Sequence, residues 1–190
     1  MTLSLDSRPL IVALAGPNRA GKSTFFQAHL QPAGLRFVNA DDLARELGVG
    51  AYEAAELAGE LRRVLVGQRE SFVFETVLSD PVGDKVNFLR DVARSGYTVM
   101  LCFIGLDSPG TSEQRVAMRV LQGGHDVPSE KLAARFDRTL EDLQRAIREL
   151  PFVHVFDNSD LRHPFRLVAE FENGKPVSVS KPVPVWLKLP

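Results

Sequence analysis

The chain has 190 residues, of which 44% are hydrophobic and 25% are charged, and its formal net charge at pH 7 is −1. This length and apolar content suffice for one folded unit with its own core, so we expect a single domain over residues 1–190. The balanced charge provides no general attraction to nucleic acid or to acidic membrane surfaces, and we expect neither as a partner.

Cysteine content and the first residues of the chain bear on its compartment. Cys102 is the only cysteine, so no disulfide can form within the chain, and its apolar neighbours predict a buried, inert thiol. Residues 1–9 lack the charged-then-apolar pattern of a signal peptide, and no apolar stretch is long enough to span a membrane. We therefore expect a cytoplasmic protein.

The hydrophobic pattern alternates between strand-like and helix-like stretches along most of the chain. Strands are expected at 10–15, 35–40, 71–75, 97–104 and 152–156, and helices at 25–30, 41–48, 52–68, 82–94, 111–121 and 129–150. Strands separated by helices need crossover connections, so the sheet should be parallel and covered on both faces.

The C-terminal part of the chain has a different pattern. Two alternating runs at 165–171 and 176–180 flank the dipeptide Asn173-Gly174. Asn-Gly between alternating runs predicts a β-hairpin, here placed at about 165–187 and added antiparallel to the sheet edge. Pro182 and Pro184 should end it.

Residues 16–24 read Gly-Pro-Asn-Arg-Ala-Gly-Lys-Ser-Thr, which matches the phosphate-loop pattern G-x-x-x-x-G-K-[ST] between a predicted strand and a predicted helix. Successive backbone N–H groups and the following helix N-terminus should form a concave site for phosphates. Lys22 would supply a mobile charge for the terminal phosphates, and the Ser23 hydroxyl would ligate Mg²⁺. The nucleotide-binding residues are therefore expected to be Gly16, Pro17, Asn18, Arg19, Ala20, Gly21, Lys22, Ser23 and Thr24.

Two positions inside this phosphate loop constrain its backbone. Gly21 is needed because a side chain there would hold the backbone off the phosphates. Arg19 stands where nucleotide-binding loops often carry glycine. It either accepts an unusual backbone angle or sits in an ordinary one, and the sequence leaves both open. Together with the strand and helix pattern, the loop predicts an α/β fold: a P-loop NTPase of the nucleotide-kinase type, a three-layer αβα sandwich with a five-stranded, mostly parallel sheet and a C-terminal β-hairpin.

Polar residues follow four of the predicted strands at the sheet edge where ligands bind in such folds: Asp41, Glu75 with Thr76, Asp107 and Asp157. Asp41 could accept a proton from a substrate hydroxyl, or it could cap the helix that begins there. Since Asp42 is also present, one aspartate can cap while the other serves the site. We assign catalysis to Asp41 and the cap to Asp42, which also counts as a candidate substrate contact. Glu75 could hold Mg²⁺ through water or bind the acceptor, or it could be an exposed strand-end carboxylate. Thr76 adds a hydroxyl at the same strand end.

Arginines flank a glycine-bearing loop at 123–128, and the region from about 111 to 138 resembles a lid. Lid arginines neutralise charge on a transferring phosphoryl group. Arg115 and Arg119 lie one helical turn apart before the loop, and Arg135 and Arg138 follow it. We favour Arg119 and Arg135 as phosphate contacts. The alternative is ordinary exposed ion pairs on the second helix, Arg138 with Asp142 and Arg145 with Glu141.

Two further polar sites are ambiguous. His125 in the glycine-bearing loop is expected to be a solvent-facing or packing histidine. Asp157 and Asn158, after the fifth strand, could edge an adenine pocket or cap a turn, and the sequence does not decide between these roles.

Five segments together are similar to the zeta-toxin family of phosphate-loop kinases, in particular its stand-alone branch of predicted ATPases: 16–24, 37–42, 74–79, 123–128 and 155–159. The resemblance implies ATP-dependent phosphorylation of a sugar 3′-hydroxyl on UDP-N-acetylglucosamine, which would inhibit cell-wall synthesis. It implies that Asp41 is the base, that Lys22 and Ser23 hold phosphate and Mg²⁺, and that Glu75 and Thr76 face the acceptor. Lid arginines would contact the phosphates, and an antitoxin protein is a possible partner. The family's characterised toxins are longer than this chain, which leaves the acceptor open.

Two other functions remain open from the sequence. The first is an ATP-hydrolysing switch akin to transporter-type ATPases, which need a Leu-Ser-Gly-Gly-Gln stretch. Residues 121–125 read Leu-Gln-Gly-Gly-His, which disfavours this class. The second is a nucleotide-binding module without a small-molecule acceptor, which would bind ATP without turning it over.

Overall fold

The computed structural model describes residues 7–79, 83–108, 110–111 and 129–189. The strands are β1 Leu10–Ala15, β2 Arg36–Val38, β3 Phe72–Thr76, β4 Thr98–Gly105, β5 Phe152–Asp157, β6 Arg166–Glu172 and β7 Lys175–Val179. The helices are α1 Lys22–Phe25, α2 Ala40–Leu47, α3 Ala51–Gly67, α4 Asp84–Arg94 and α5 Ser129–Glu149. Helix α1 continues as a π-helical turn, Phe26–Leu30, and a 3₁₀ turn, Gln31–Ala33.

One seven-stranded sheet runs through the described residues in the order β2-β3-β1-β4-β5-β6-β7. The first five strands are mutually parallel, and β6 and β7 are antiparallel additions at one edge. The predicted α/β fold and its five parallel strands are confirmed. The hairpin extends the same sheet, so the sheet has seven strands rather than five.

The central strand β1 is buried along its whole length. Ile11, Ala13 and Ala15 belong to the core that α3, α4 and α5 cover. Their neighbours Leu10, Val12 and Leu14 belong to the core on the α1 side. Because side chains alternate along a strand, a continuous apolar run buries both faces, as a parallel sheet between helices requires. The layers therefore follow from the sequence of β1.

The predicted element boundaries mostly agree with the structure. The turn at Asn173-Gly174 forms as predicted, with φ values of 49° and 80°, and it joins β6 to β7. Residues 112–128, which contain all but the first residue of the predicted helix 111–121 and the whole predicted loop 123–128, lie outside the described residues.

The segment after β7 returns to the core of the molecule. Trp186 is 8% exposed and packs on Gly105 at the end of β4, where a Cβ atom on that glycine would lie 2.2 Å from the indole ring. Gln144 of α5 donates a hydrogen bond to the Lys188 carbonyl at 2.9 Å. None of the helices in the described part of the chain is long and apolar enough to cross a bilayer.

Candidate functional site

The backbone of the phosphate loop is set by residues in the left-handed region. Gly16 has φ 144°, and a Cβ atom there would lie 2.2 Å from the Ile104 carbonyl oxygen. Gly21 has φ 92°, and a Cβ atom there would lie 2.7 Å from the Asn158 amide. Arg19 adopts φ 61°, so the open question about this position is answered by a left-handed, non-glycine residue inside the loop. The loop thus passes close to β4 on one side and to the end of β5 on the other.

Lys22 is folded back into the phosphate loop. Its side chain is 5% exposed, and Nζ donates hydrogen bonds to the carbonyl oxygens of Gly16 at 3.1 Å and Pro17 at 3.0 Å. Burial lowers the pKa of Lys22, while the negative charges of Glu75 and Asp41 act to raise it. The Lys22 side chain is therefore held at the mouth of the loop, with the Glu75 carboxylate 3.8 Å from its Nζ.

Glu75, near the carboxyl end of β3, joins three elements of the site. Its Oε2 accepts hydrogen bonds from Ser23 Oγ at 2.8 Å and from Asn39 Nδ2 at 3.2 Å. Its Oε1 lies 3.8 Å from Lys22 Nζ. Thr76 is buried, and its hydroxyl accepts a hydrogen bond from the Leu78 amide at 3.2 Å. The Glu75 carboxylate is thus a bound part of the loop's mouth and not a free strand-end group.

Asp41 lies exposed in the first turn of α2. The residue that caps α2 is Asn39, whose Oδ1 accepts a hydrogen bond from the Asp41 amide at 2.8 Å. The expected aspartate cap is wrong, because the asparagine one turn earlier reaches the free N–H group first. Asp42 pairs with Arg45 on the same helix at 2.6 Å. The negative charge of Asp41 acts to raise the pKa of Lys22, and the roles of both aspartates toward substrate stay predictions.

The arginines of the predicted lid are only partly described. Arg115 and Arg119 lie outside the described residues. Arg135 is exposed on α5, and its carbonyl accepts a hydrogen bond from Thr139. Arg145 pairs with Glu149 at 2.8 Å. Glu141 and Glu149 each lie four residues from Arg145, but Glu149 also forms an ion pair with Arg90 of α4 at 3.0 Å.

The two polar residues at the end of β5, Asp157 and Asn158, make different contacts. Asp157 makes a turn, accepting a hydrogen bond from the Ser159 amide at 3.1 Å, and pairs with Arg166 at 3.3 Å. Asn158 is 3% exposed and donates from Nδ2 to the Ala20 carbonyl of the phosphate loop at 2.8 Å. The side chain of Asn158 thus reaches the loop itself.

Sequence reasoning did not single out Asn39, and it identified Asn158 as a polar candidate without its contact to the phosphate loop. An Asn directly before a helical stretch is a known cap signal, and this could have identified Asn39. Nothing in the local sequence reveals that Asn158 contacts a residue 138 positions earlier in the chain.

The donor set at the loop's mouth fits a magnesium ion. The Ser23 hydroxyl and the Glu75 carboxylate are hard oxygen ligands held 2.8 Å apart. Among the described residues, no three His, Cys, Asp or Glu side chains are grouped to hold a metal. Mg²⁺ is usually held by one or two protein oxygens together with water and substrate phosphates, so a small donor set of this kind is sufficient.

Solved structures with a similar fold were found. The structure of AvrRxo1-ORF1:-ORF2 with ATP has a TM-score of 0.68 at 22% identity, covering 92% of this chain and 61% of that one. A chain from Chloroflexus aurantiacus, described as a candidate kinase, has a TM-score of 0.56 at 17% identity, covering 83% and 92%. The PezAT toxin–antitoxin system of Streptococcus pneumoniae gives 0.54 at 17% identity, covering 87% and 72%. The chain thus spans about three fifths of the AvrRxo1 chain.

A search of the curated proteins gave no match. The sequence model of the family described as "Zeta toxin" matches residues 38–163. This segment begins at the end of β2, contains Asp41, Glu75 and Asn158, and covers more than half of the 190 residues. The chain therefore belongs to the zeta toxin family.

Proposed function

We propose that the chain is an ATP-dependent small-molecule kinase that transfers the γ-phosphate of ATP to a sugar hydroxyl. Membership of the zeta toxin family and the kinase-like fold support a phosphotransferase of the nucleotide-kinase type. The observation that carries the proposal is the mouth of the phosphate loop. There the Lys22 ammonium lies 3.8 Å from the Glu75 carboxylate. Burial lowers the pKa of Lys22, and the charges of Glu75 and Asp41 oppose that lowering.

On the donor side, the loop residues bind the phosphates of ATP. The backbone N–H groups between Gly16 and Gly21 line the concave site, and Lys22 leaves its two carbonyl partners to meet the terminal phosphates. Ser23 and Glu75 would hold Mg²⁺, which would neutralise phosphate charge when bound. Exchanging two neutral carbonyl oxygens for anionic phosphate oxygens strengthens the hydrogen bonds that Lys22 makes.

On the acceptor side, Asp41 is the base. The acceptor hydroxyl attacks the γ-phosphorus, its O–H bond breaks, the proton passes to the Asp41 carboxylate, and the bond to the bridging oxygen breaks to release ADP. Glu75 and Thr76 lie on the acceptor side of the loop's mouth, and Asp42 is a further candidate contact. Arg119 and Arg135 would neutralise the charge that spreads over the moving phosphoryl group.

The proposed acceptor is UDP-N-acetylglucosamine, by similarity to the zeta-toxin family. The proposed protein partner is an antitoxin. The toxin–antitoxin system named for one structural neighbour supports this pairing. An antitoxin that covers the loop's mouth would block both substrates at once.

The experiment is a transfer assay with ATP labelled on its γ-phosphate and a panel of acceptors: UDP-N-acetylglucosamine, other sugar nucleotides, nucleosides and water. The proposal predicts label on a sugar nucleotide. Label released only as inorganic phosphate would indicate an ATP-hydrolysing switch, and saturable ATP binding without turnover of any acceptor would indicate a binding module. Either result contradicts the proposal.

A further inference from the structure

Asn158, in the connection between β5 and β6, forms a side-chain hydrogen bond to the phosphate loop. Its Nδ2 donates to the Ala20 carbonyl at 2.8 Å, and its Oδ1 accepts from the Phe165 amide at 3.3 Å. Its own backbone N–H donates to the Gly105 carbonyl at 3.0 Å. The side chain is therefore held at both ends of its amide, which fixes which end is the donor.

The contact with Ala20 determines the direction of the next N–H group. A trans peptide is planar, and its C=O and N–H bonds point in opposite directions. The Ala20–Gly21 peptide has its carbonyl turned toward Asn158, so the Gly21 N–H points away from Asn158. In a phosphate loop, the N–H groups of this segment face the bound phosphates.

We infer that Asn158 is a positioning residue of the phosphate loop: by holding the Ala20 carbonyl, it aims the Gly21 N–H at the phosphates of the nucleotide. The inference rests on the proposed function, because it assumes that the loop binds a nucleotide. It gives Asn158 a role in binding the phosphates of ATP, which differs from an adenine contact and from a turn cap.

The packing around Gly21 supports the same role. A Cβ atom on Gly21 would lie 2.7 Å from Asn158 Nδ2 and 3.3 Å from the Phe165 ring. The Phe165 ring in turn lies edge-on to Phe25 of α1, with centroids 5.3 Å apart. Asn158 and Phe165 thus form a wall behind the loop, and only a residue without a side chain fits between this wall and the phosphates.

The test compares nucleotide binding by wild type, Asn158→Asp and Asn158→Ala, with Ser159→Ala as the matched control in the same turn. Asn158→Asp keeps the shape and the acceptor for Phe165 but removes the donor to Ala20. Asn158→Ala removes the donor without adding charge. Calorimetry measures the affinity of each protein for ATP and for inorganic tripolyphosphate, which has neither base nor ribose, well below each variant's melting temperature.

We expect both Asn158 variants to bind ATP and tripolyphosphate about tenfold more weakly than wild type, since one aligned phosphate contact is lost. Ser159→Ala should bind as wild type does, because the Ser159 hydroxyl donates to Asp157 and bonds to no phosphate-loop residue in the described part of the chain. If Asn158→Asp does not fold, Asn158→Ala carries the comparison.

Two results would overturn the inference. Wild-type affinity in Asn158→Ala would show that the Ala20 contact is dispensable, and any loss seen in Asn158→Asp would then come from its added charge. Weaker binding of ATP with unchanged binding of tripolyphosphate would show that Asn158 acts on the nucleoside part of ATP and not on its phosphates. Failure of the proposed function has a different pattern: wild type itself would bind ATP but transfer nothing, or would bind no ATP.

Discussion

At the residue scale, the site depends on two glycines whose roles differ. Gly16 lets β1 turn away directly beside β4, where the Ile104 carbonyl leaves no room for a side chain. Gly21 lets the end of the loop pass the wall formed by Asn158 and Phe165. Both also need positive φ angles that L-residues rarely adopt. The phosphate-loop pattern predicts these positions because the same two constraints recur wherever a backbone wraps phosphates.

Replacement of Gly16 by alanine tests the close approach of the loop backbone to the Ile104 carbonyl group. The added Cβ atom would lie 2.2 Å from a backbone oxygen that belongs to the central sheet and cannot move freely. We expect Gly16→Ala to lower the free energy of unfolding by about 2 kcal/mol or more, and to abolish ATP binding. Urea denaturation and calorimetry measure the two effects.

Gly67→Ala is the matched control for this prediction. Gly67 is the last residue of α3, and a Cβ atom there would meet no heavy atom within 4 Å. Its replacement should leave ATP binding unchanged and should not reduce stability. Equal effects of the two substitutions would contradict the close-approach argument.

The contacts of single residues also show why part of the site could not be predicted from the sequence. Lys22, Ser23 and the strand-end acids are recognisable, since each lies next to a motif or a strand end. Asn39 and Asn158 act through contacts with Glu75 and Ala20, which are far away in sequence. A polar residue whose partner is distant gives no local pattern.

At the scale of elements, α4 and α5 are joined by a small ion-pair network. Glu149 of α5 accepts from Arg90 of α4 at 3.0 Å and from Arg145 at 2.8 Å, and Arg145 also donates to Asn87 at 2.6 Å. These contacts lie beside the apolar core under the sheet and fix how the two helices pack. The hydrophobic pattern predicts both helices, but the pairing of Arg145 depends on which helix face meets α4.

Glu149→Gln tests this network and has a defined pH dependence. The hydrogen bond from Arg145 is the main cause that lowers the pKa of Glu149 below its ordinary value of 4.5. Its contribution to stability is therefore present above pH 4.5 and is lost as the pH falls below that value. We expect Glu149→Gln to reduce the free energy of unfolding by about 1 kcal/mol at pH 7, and by less at pH 3.

Urea titrations at both pH values measure the difference from wild type. Glu141→Gln, which changes an exposed glutamate of the same helix, should have no comparable effect. A stability difference between Glu149→Gln and wild type that grows on acidification would contradict the account.

At the scale of the whole molecule, the parallel sheet assembles the site. The carboxyl ends of β1, β2 and β3 bring the phosphate loop, Asn39 and Glu75 to one rim, as the rule for open α/β sheets predicts. The order β2-β3-β1 places β3 beside β1, so Glu75 reaches Ser23 and Lys22 directly. The alternating pattern of strands and helices is enough to predict a parallel sheet with the site at one rim, but it does not predict the order of the strands. The packing of Trp186 on Gly105 is not predictable, because the tail that carries it has no regular period.

The centre of the same sheet gives a prediction about chemistry at high pH. Cys102 is fully buried in β4, and burial raises the pKa of its thiol from 9.0 to about 12. The folded chain should therefore resist thiol reagents at pH 8 and react only on unfolding. As the pH rises above 9, the unfolded thiol ionises first, so this group's effect on stability is unfavourable between about pH 9 and pH 12.

Reaction rates of Cys102 with a chromogenic disulfide, measured with and without denaturant, test whether the folded chain resists thiol reagents. The free energies of unfolding of Cys102→Ala and wild type, compared from pH 8 to pH 11, separate the effect of the Cys102 thiol on stability from that of other groups that titrate there. Rapid labelling of the folded chain would contradict the burial of this strand.

The most direct test of the whole account is single-turnover transfer of labelled γ-phosphate from ATP to UDP-N-acetylglucosamine by wild type and Asp41→Asn. Glu46→Gln, which removes an exposed charge from the same helix, is the matched control. The account predicts that Asp41→Asn loses at least about a hundredfold in the transfer rate without weaker ATP binding, since only the base is removed. Glu46→Gln should keep the wild-type rate. Transfer by Asp41→Asn at the wild-type rate would contradict the assignment of Asp41 as the base and, with it, the proposed mechanism.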